Sequence, residues 1–371
     1  MQIMSFQIDK FFNSFSKKTD DSAIGVDIGS SSIKIVEIKK KHDRAVLHTY
    51  GEIALGPYAG TEIGRATKLT NDKLIEALKD VLTESKVTTK VSAVSIPMRS
   101  SMVSIFSMPM MGDKQLAQMI PIEARKYIPV PIGEVSLDWF VVPNDSDDSA
   151  DKKTRKIVEV MVVAIHNDVL ADYSTIVSGS QLQTSFFEIE MFSTIRAVVD
   201  STDNAPVMII DIGASATKIY IAERGVIRDS HTINRGSQEI TLNIAQTLGV
   251  NVDFAEKLKR NYGSNDEKQD RVLKGAIDWI FDPIFLEAKD VLLTFQKKNN
   301  KIVSKVILAG GGSLLNGLSK KAQDKIQIES TSGDPFSKLE VPAFLVDILR
   351  QNGAGFTSAI GIALRKLQEM D

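Results

Sequence analysis

The sequence predicts an α/β protein of two lobes built on a duplicated hairpin, with a small strand–helix–strand–strand unit inserted into the first lobe. Three observations carry that prediction. An apolar strand, Asp-Ile-Gly, a small residue, Ser, two further residues and then Lys-Ile occur twice, over Ile24–Ile35 and Ile209–Ile219. A third apolar strand, Val306–Ala309, runs into Gly310-Gly311-Gly312. Between the repeats, the pattern changes at Ser101 to the order that marks the insertion.

Ala23–Ile28 and Ile33–Ile38 read as strands joined by the turn Gly29–Ser32, and Arg44–Ile53 continues their sheet. Leu74, Ile75, Leu78, Val81 and Leu82 have helical spacing over 71–85, with Asn71 as the expected N-cap. Val91–Ile96 is a strand stopped by Pro97. In the insertion, Met102–Met108 is a strand and Gly112-Asp113 opens a helix through Tyr127, ended by Ile128-Pro129-Val130-Pro131. Val135–Pro143 and Lys156–Ile165 are strands around the polar stretch 144–155, and a helix follows over 167–177. Leu182–Ile189 returns to strand character before a helix through Met191–Val199, and the second lobe begins at Pro206. A helix through Lys325 is expected directly after the glycines. The expected division is an N-terminal amphipathic segment (1–20), a first lobe (21–98 with 182–203 and 354–371), the insertion (99–181) and a second lobe (204–353). Met4, Ile8, Phe11, Phe12 and Phe15 share one helical face, suited to a membrane, a partner's groove or the protein's own body.

Composition narrows the chemistry. At 371 residues the chain exceeds one typical domain. A net charge of −2 gives no general field for polyanions, so nucleic acid is not an expected partner. The absence of cysteine excludes disulfides, thiolate metal sites and cysteine nucleophiles. His42, His48, His166 and His231 lack metal-ligand spacing. No apolar run approaches the ~20 residues of a membrane span, and the N-terminus lacks signal-peptide character. A cytoplasmic protein is expected.

The hairpins suggest phosphate chemistry. A turn of Gly, Ser and Ala lets backbone N–H groups and hydroxyls approach phosphate oxygens closely. An Asp at the strand end can hold Mg²⁺ through water. One such hairpin is an ordinary turn; two, each opening a lobe, form a clamp for β- and γ-phosphates. Three glycines let backbone pass close to a flat ligand, and a helix N-terminus behind them would favour negative charge. No Gly-x-x-x-x-Gly-Lys-Ser/Thr is present, which excludes a P-loop.

These features resemble the actin, heat-shock chaperone and sugar-kinase superfamily, whose fold is a two-lobe, duplicated ribonuclease-H-like one. Within it, GVDIGSSSIKIVEI, KYIPVPIGEVSLDWFVV (126–142), DIGASATKIYI, AQTLGVNVDFAEKLK and ILAGGGSLLNGL resemble the PilM family of type IV pilus assembly proteins, relatives of the division protein FtsA. The resemblance implies ATP and Mg²⁺ as cofactors. Asp27 and Asp211 would hold the metal. Gly29, Ser30, Ser31, Ser32 and Lys34, with Gly213, Ala214, Ser215, Thr217 and Gly236, would surround the phosphates. Gly310, Gly311 and Gly312 would contact the adenosine side. Glu256 and Lys259, at i and i+3 of a helix, either hold ribose and adenine or form an exposed ion pair. Glu190 stands where relatives position attacking water, although Met191 follows it where the family usually has Pro; a helix cap is the other reading, and Glu188 is a second candidate. The implied role is a scaffold, at most a slow ATPase, that binds the cytoplasmic N-terminal tail of an inner-membrane PilN-like protein. It would join other pilus machinery, associate with the membrane indirectly and form a homo-oligomer or ring. Met98, Met102, Met108, Met110, Met111 and Met119 suit either a peptide-binding surface or a Met-lined core. An FtsA-like filament and a small-molecule kinase are the competing functions.

Overall fold

The computed structural model describes residues 6–7, 21–143, 157–200, 202–263 and 267–370. The first part of the chain forms β1 (Phe6–Gln7), β2 (Ser22–Ile28), β3 (Ser32–Lys41), β4 (Arg44–Ala54), α1 (Asn71–Glu84) and β5 (Val91–Ile96). The insertion contributes β6 (Ser101–Pro109), α2 (Asp113–Ala124), β7 (Val135–Val141) and β8 (Ile157–His166), followed by α3 (Asn167–Gly179), β9 (Gln183–Ile189) and α4 (Glu190–Val198). Then come β10 (Val207–Ile212), β11 (Thr217–Glu223), β12 (Val226–Ile233), α5 (Gln238–Leu248), α6 (Val252–Arg260), α7 (Glu267–Asn299) and β13 (Lys305–Ala309). The chain finishes with α8 (Leu318–Ile326), β14 (Ser330–Ser332), α9 (Val346–Asn352) and α10 (Thr357–Gln368).

The duplication extends from motif to sheet. One sheet runs β1-β9-β5-β2-β3-β4 and the other β12-β11-β10-β13-β14. In each, an antiparallel meander (β2-β3-β4, β10-β11-β12) is flanked on its first strand by parallel strands. Both central strands are buried on both faces, as parallel pairing beneath two helical layers requires. Thus Met208, Ile210 and Ile212 pack with α7, while Val207 and Ile209 join the core of the first sheet. Each buried Ile contributes about 1.5–3 kcal/mol.

Helix α10 lies against β2 and α4. The contact is close because two glycines permit it. A Cβ on Gly25 would collide with the Ala359 carbonyl, and one on Gly361 with that of Ser193. Ala359–Ala363 are buried, as the small and apolar run there implies. Beneath α10, Arg365 and Arg196 hold the buried Glu188 carboxylate at 2.7 and 2.8 Å, and Ser193 donates to it at 2.5 Å.

The insertion forms its own sheet, β6-β8-β7, closed by α2. Arg228 on β12 ties it to the second sheet through Glu159 at 3.2 Å and the Pro143 carbonyl at 3.1 Å. Of the methionines, Met108 is core while Met110 and Met119 are exposed.

Several elements differ from expectation. Helix α2 ends at Ala124, three residues after its internal Pro121, rather than at Tyr127. Thr70, not Asn71, occupies the α1 N-cap. Phe6–Gln7 pair as strand along the free edge of β9, where its unpaired backbone groups find partners. The remainder of the expected N-terminal helix and the polar stretch 144–155 lie outside the described residues.

Candidate functional site

Both Asp-Ile-Gly segments build the same hairpin. Gly29 N donates to Ser32 O at 3.0 Å, and Gly213 N to Ala216 O at 2.9 Å. Strand register sets Asp27 opposite Lys34 and Asp211 opposite Lys218. The two tips meet across the molecule, where Ser215 Oγ donates to Ser30 Oγ at 3.1 Å. A cleft of 540 Å³ opens beside this contact, within the size range of small-molecule sites.

The cleft gathers Asp27, Gly29, Ser30, Ser31, Ser32, Lys34, Glu190, Asp211, Gly213, Ala214, Ser215, Glu256, Lys259, Gly310, Gly311 and Gly312. Thr217 and Gly236 do not line it. Strand alternation turns Thr217 inward, where its hydroxyl donates to Arg235 O at 2.9 Å, and offers Lys218 to the cleft instead. Gly236 sits behind the second hairpin, where a Cβ would collide with the Ala214 backbone.

Charge in the cleft is arranged around three acids. Burial, with Glu190 nearby, pushes the Asp27 carboxyl up, and burial likewise raises Asp211. Asp27 accepts from Ser95 Oγ at 2.8 Å. Glu190 is doubly committed: one oxygen accepts from Met98 N at 2.7 Å, the other from Lys218 Nζ at 2.7 Å. Lys218 also reaches Asp211 at 3.5 Å. Burial works against its charge, but Glu190 and Asp211 outweigh that and hold its pKa above the usual lysine range. Glu188 is outside the cleft, enclosed in the arginine cluster beneath α10, so it has no access to a ligand.

Helix α6 supplies the opposite wall. Its N-cap Asn251 accepts from Phe254 N at 2.8 Å. Glu256 and Lys259 are buried, not an exposed pair: they meet at 2.7 Å and share Thr241, which donates to Glu256 at 2.6 Å and accepts from Lys259 at 2.9 Å. Burial opposes the Glu256 charge, yet Lys259, Thr241 and Arg260 hold its pKa below the usual value. Burial dominates at Lys259 and lowers it.

Gly310 has φ +80°, and a Cβ there would strike the Asp211 carboxylate, so only glycine fits beside that acid. The expected helix does not follow at once. Gly311–Leu314 form a single 3₁₀ turn, and α8 starts at Leu318, away from the cleft. Helix N-termini do line the cleft, those of α4 at Glu190, of α5 at its N-cap Ser237, and of α10 through Thr357 and Ser358. Sequence reasoning missed Thr357 and Ser358, together with Lys218, Arg99, Asn234 and Ser237. The repeat itself held the signal for Lys218, which matches Lys34; a helix returning from the chain's far end leaves no local trace.

A magnesium nucleotide fits these residues. Hard carboxylate oxygens, a small-residue cradle and a buried Ser358 hydroxyl without a protein partner suit phosphate and Mg²⁺. Among the described residues no group of three or more His, Cys, Asp or Glu could hold a metal alone, so phosphate oxygens and water would complete the shell.

Solved structures share the fold. The PilM-PilN type IV pilus biogenesis complex aligns with a TM-score of 0.77 at 22% identity, covering 93% of this chain and 98% of that one. The ethanolamine utilization protein EutJ from Carboxydothermus hydrogenoformans aligns with a TM-score of 0.53 at 14% identity, covering 96% and 93%. MreB5 of Spiroplasma citri bound to ADP gives 0.52 at 11%, covering 95% and 98%. The shared architecture is the actin-like ATPase fold. By sequence, the cell division protein FtsA of Staphylococcus epidermidis is 24% identical over 345 residues, covering 82% of this chain and 72% of FtsA. The model for the type IV pilus assembly protein PilM family matches residues 25–367. With nearly the whole chain matched, from the first hairpin to α10, the protein belongs to the PilM family of type IV pilus assembly proteins.

Proposed function

We propose that this protein is a nucleotide-binding scaffold of type IV pilus assembly, which holds Mg-ATP in the cleft and grips the cytoplasmic N-terminal tail of an inner-membrane PilN-like protein. The observation that carries the first half is the contact between two matched hairpin tips, 185 positions apart, beside one cleft. Backbone N–H groups of both turns donate to phosphate oxygens. Asp27 and Asp211 hold the metal, directly or through water, while Lys34 and Lys218 offset negative charge. Glu256 and Lys259 take the nucleoside side, with Gly310–Gly312 passing along its face. Mg²⁺ held at Asp27 and Asp211 would supply positive charge against the negative charge of the phosphates.

Turnover is slow on this reading because Glu190, the acid best placed to orient water, has both oxygens occupied. The same commitment argues against a kinase, which needs a free base beside a substrate hydroxyl. Support for the tail-binding half comes from family membership, the likeness to the PilM-PilN complex and the exposed Met110, Met119, Ile122 and Tyr127 on the insertion. Among the described residues no helix is long and apolar enough to cross a membrane; in the proposed role, membrane attachment runs through the partner. The likeness to FtsA favours a second reading, a nucleotide-dependent filament, which sedimentation with Mg-ATP would reveal.

The test is calorimetric. Saturating Mg-ATP, at 100–1,000 times its Kd, raises stability by about 2.7–4 kcal/mol. Asp27→Ala and Asp211→Ala should abolish that gain. A wild-type thermal shift in both variants would remove the metal assignment.

A further inference from the structure

Cations line the cleft at five positions: Lys34, Arg99, Lys218, Lys259 and Arg260. Four are already used. Lys34 pairs with Glu52 at 3.1 Å, Lys218 with Glu190 at 2.7 Å, and Lys259 and Arg260 with Glu256 at 2.7 and 2.9 Å. Arg99 is different: it is exposed, and among the described residues it has no hydrogen-bond or ion-pair partner. An unpaired guanidinium at the rim of a phosphate cradle is a ready anion ligand, since its planar fork matches two phosphate oxygens at once.

Its position says which phosphate. Arg99 sits on the 3₁₀ turn Met98–Ser100, and Met98 N donates to Glu190, which holds Lys218 beside Asp211. Asp27, Glu190 and Arg99 all lie within electrostatic reach of the partly buried Tyr173 side chain. The turn is therefore at the acidic end of the cleft, while Glu256 and Lys259 form the other wall. A nucleotide lying with its nucleoside on α6 directs its terminal phosphate toward this turn.

The turn also leads into the insertion. It joins β5, a parallel strand of the first sheet, to β6, the leading strand of the inserted sheet. Ser101 Oγ donates to Met98 O at 2.9 Å, and β6 pairs with β8 along its whole length. The turn is thus joined, by chain and by hydrogen bond, to the strand that begins the inserted sheet.

Resting on the nucleotide reading above, we infer that Arg99 is the specificity-determining residue for the terminal phosphate, separating ATP from ADP, and that its turn transmits the difference to the inserted sheet. The experiment is titration calorimetry with Mg-ATP and Mg-ADP on the full chain and on Arg99→Ala, Arg99→Gln and Arg99→Lys. ATP affinity should fall about tenfold in the Ala and Gln variants, the scale of one charged hydrogen-bonding group. Lys should give an intermediate loss, and ADP affinity should change less than about twofold. Hydrogen exchange in β6 should be slower with ATP than with ADP in the wild type, and equal for the two in Arg99→Ala. Because Arg99 is exposed and unpaired, the unliganded melting temperatures should agree among all four proteins. An unchanged ATP-to-ADP affinity ratio in both neutral variants overturns the inference while leaving nucleotide binding intact. Failure of the wild type to bind either nucleotide overturns the nucleotide reading and this inference together.

Discussion

Replacing Arg365 by methionine removes a fully buried charge beneath α10. The residue is 0% exposed, with Nη1 donating to Glu188 at 2.7 Å, Nε donating to Glu369 at 3.0 Å and the guanidinium 4.2 Å from the Phe186 ring centre. Breaking a buried pair by deleting one partner costs about 3–5 kcal/mol, because the other charge stays in low dielectric. Here Glu188 keeps Arg196 in a two-point contact, at 2.8 Å on each oxygen, and Ser193 besides. That places the cost at the lower end, about 3 kcal/mol. At about 2 °C per kcal/mol for a chain this long, the melting temperature falls about 6 °C. The assay is scanning calorimetry without nucleotide. Acid titration adds a sign. Burial raises the Glu188 pKa, but Arg196 foremost and then Arg365 outweigh it and hold the group below 4.5. A depressed carboxyl stabilises the fold above its unfolded-state pKa and loses that contribution as pH falls through the folded value. The gap between wild type and Arg365→Met should therefore be constant from neutral pH to about 5 and close below about 4. A fall of less than about 2 °C at neutral pH would refute the reasoning, showing that desolvation cancels the attraction.

Two further substitutions probe the cleft wall and the helix seat. Lys259→Met should weaken ATP and ADP alike by about tenfold, since it removes the charge that faces the nucleoside rather than the phosphates; calorimetric titration of both ligands checks it. Gly361→Val should cost about 1–3 kcal/mol, because the new side chain meets the Ser193 carbonyl and α10 must lift from α4. Its melting curve should fall by several degrees, with nucleotide affinity lowered as Thr357 and Ser358 shift.

Much of this molecule is legible in the sequence, for a physical reason. Hairpins are local: Asp27 through Lys34 lie within eight residues, so their turn chemistry and strand alternation are visible without the rest of the chain. That is why both hairpins, the triglycine strand and the insertion's element order are readable. What is not readable depends on distant packing. Thr217 and Lys218 are neighbours, and only the sheet's position decides which faces the ligand. The start of α10 reaches the cleft because Gly25 and Gly361 seat that helix against β2 and α4, some 330 residues after β2 along the chain. Glu256 and Lys259 read as a surface pair or a buried one with equal ease, and α5 decides by bringing Thr241 between them.

The state of Glu190 links the architecture to the slow chemistry proposed for it. A hydrolase needs this acid free to polarise water; here it is spent on the Met98 backbone and on Lys218. Those two bonds tie the turn before the insertion to the second hairpin, and releasing the residue for catalysis would break one of them. If the protein's work is to present a stable surface to its partners, as proposed, that work is better served by the coupling than by turnover, and the occupied carboxylate fits the proposed scaffold role.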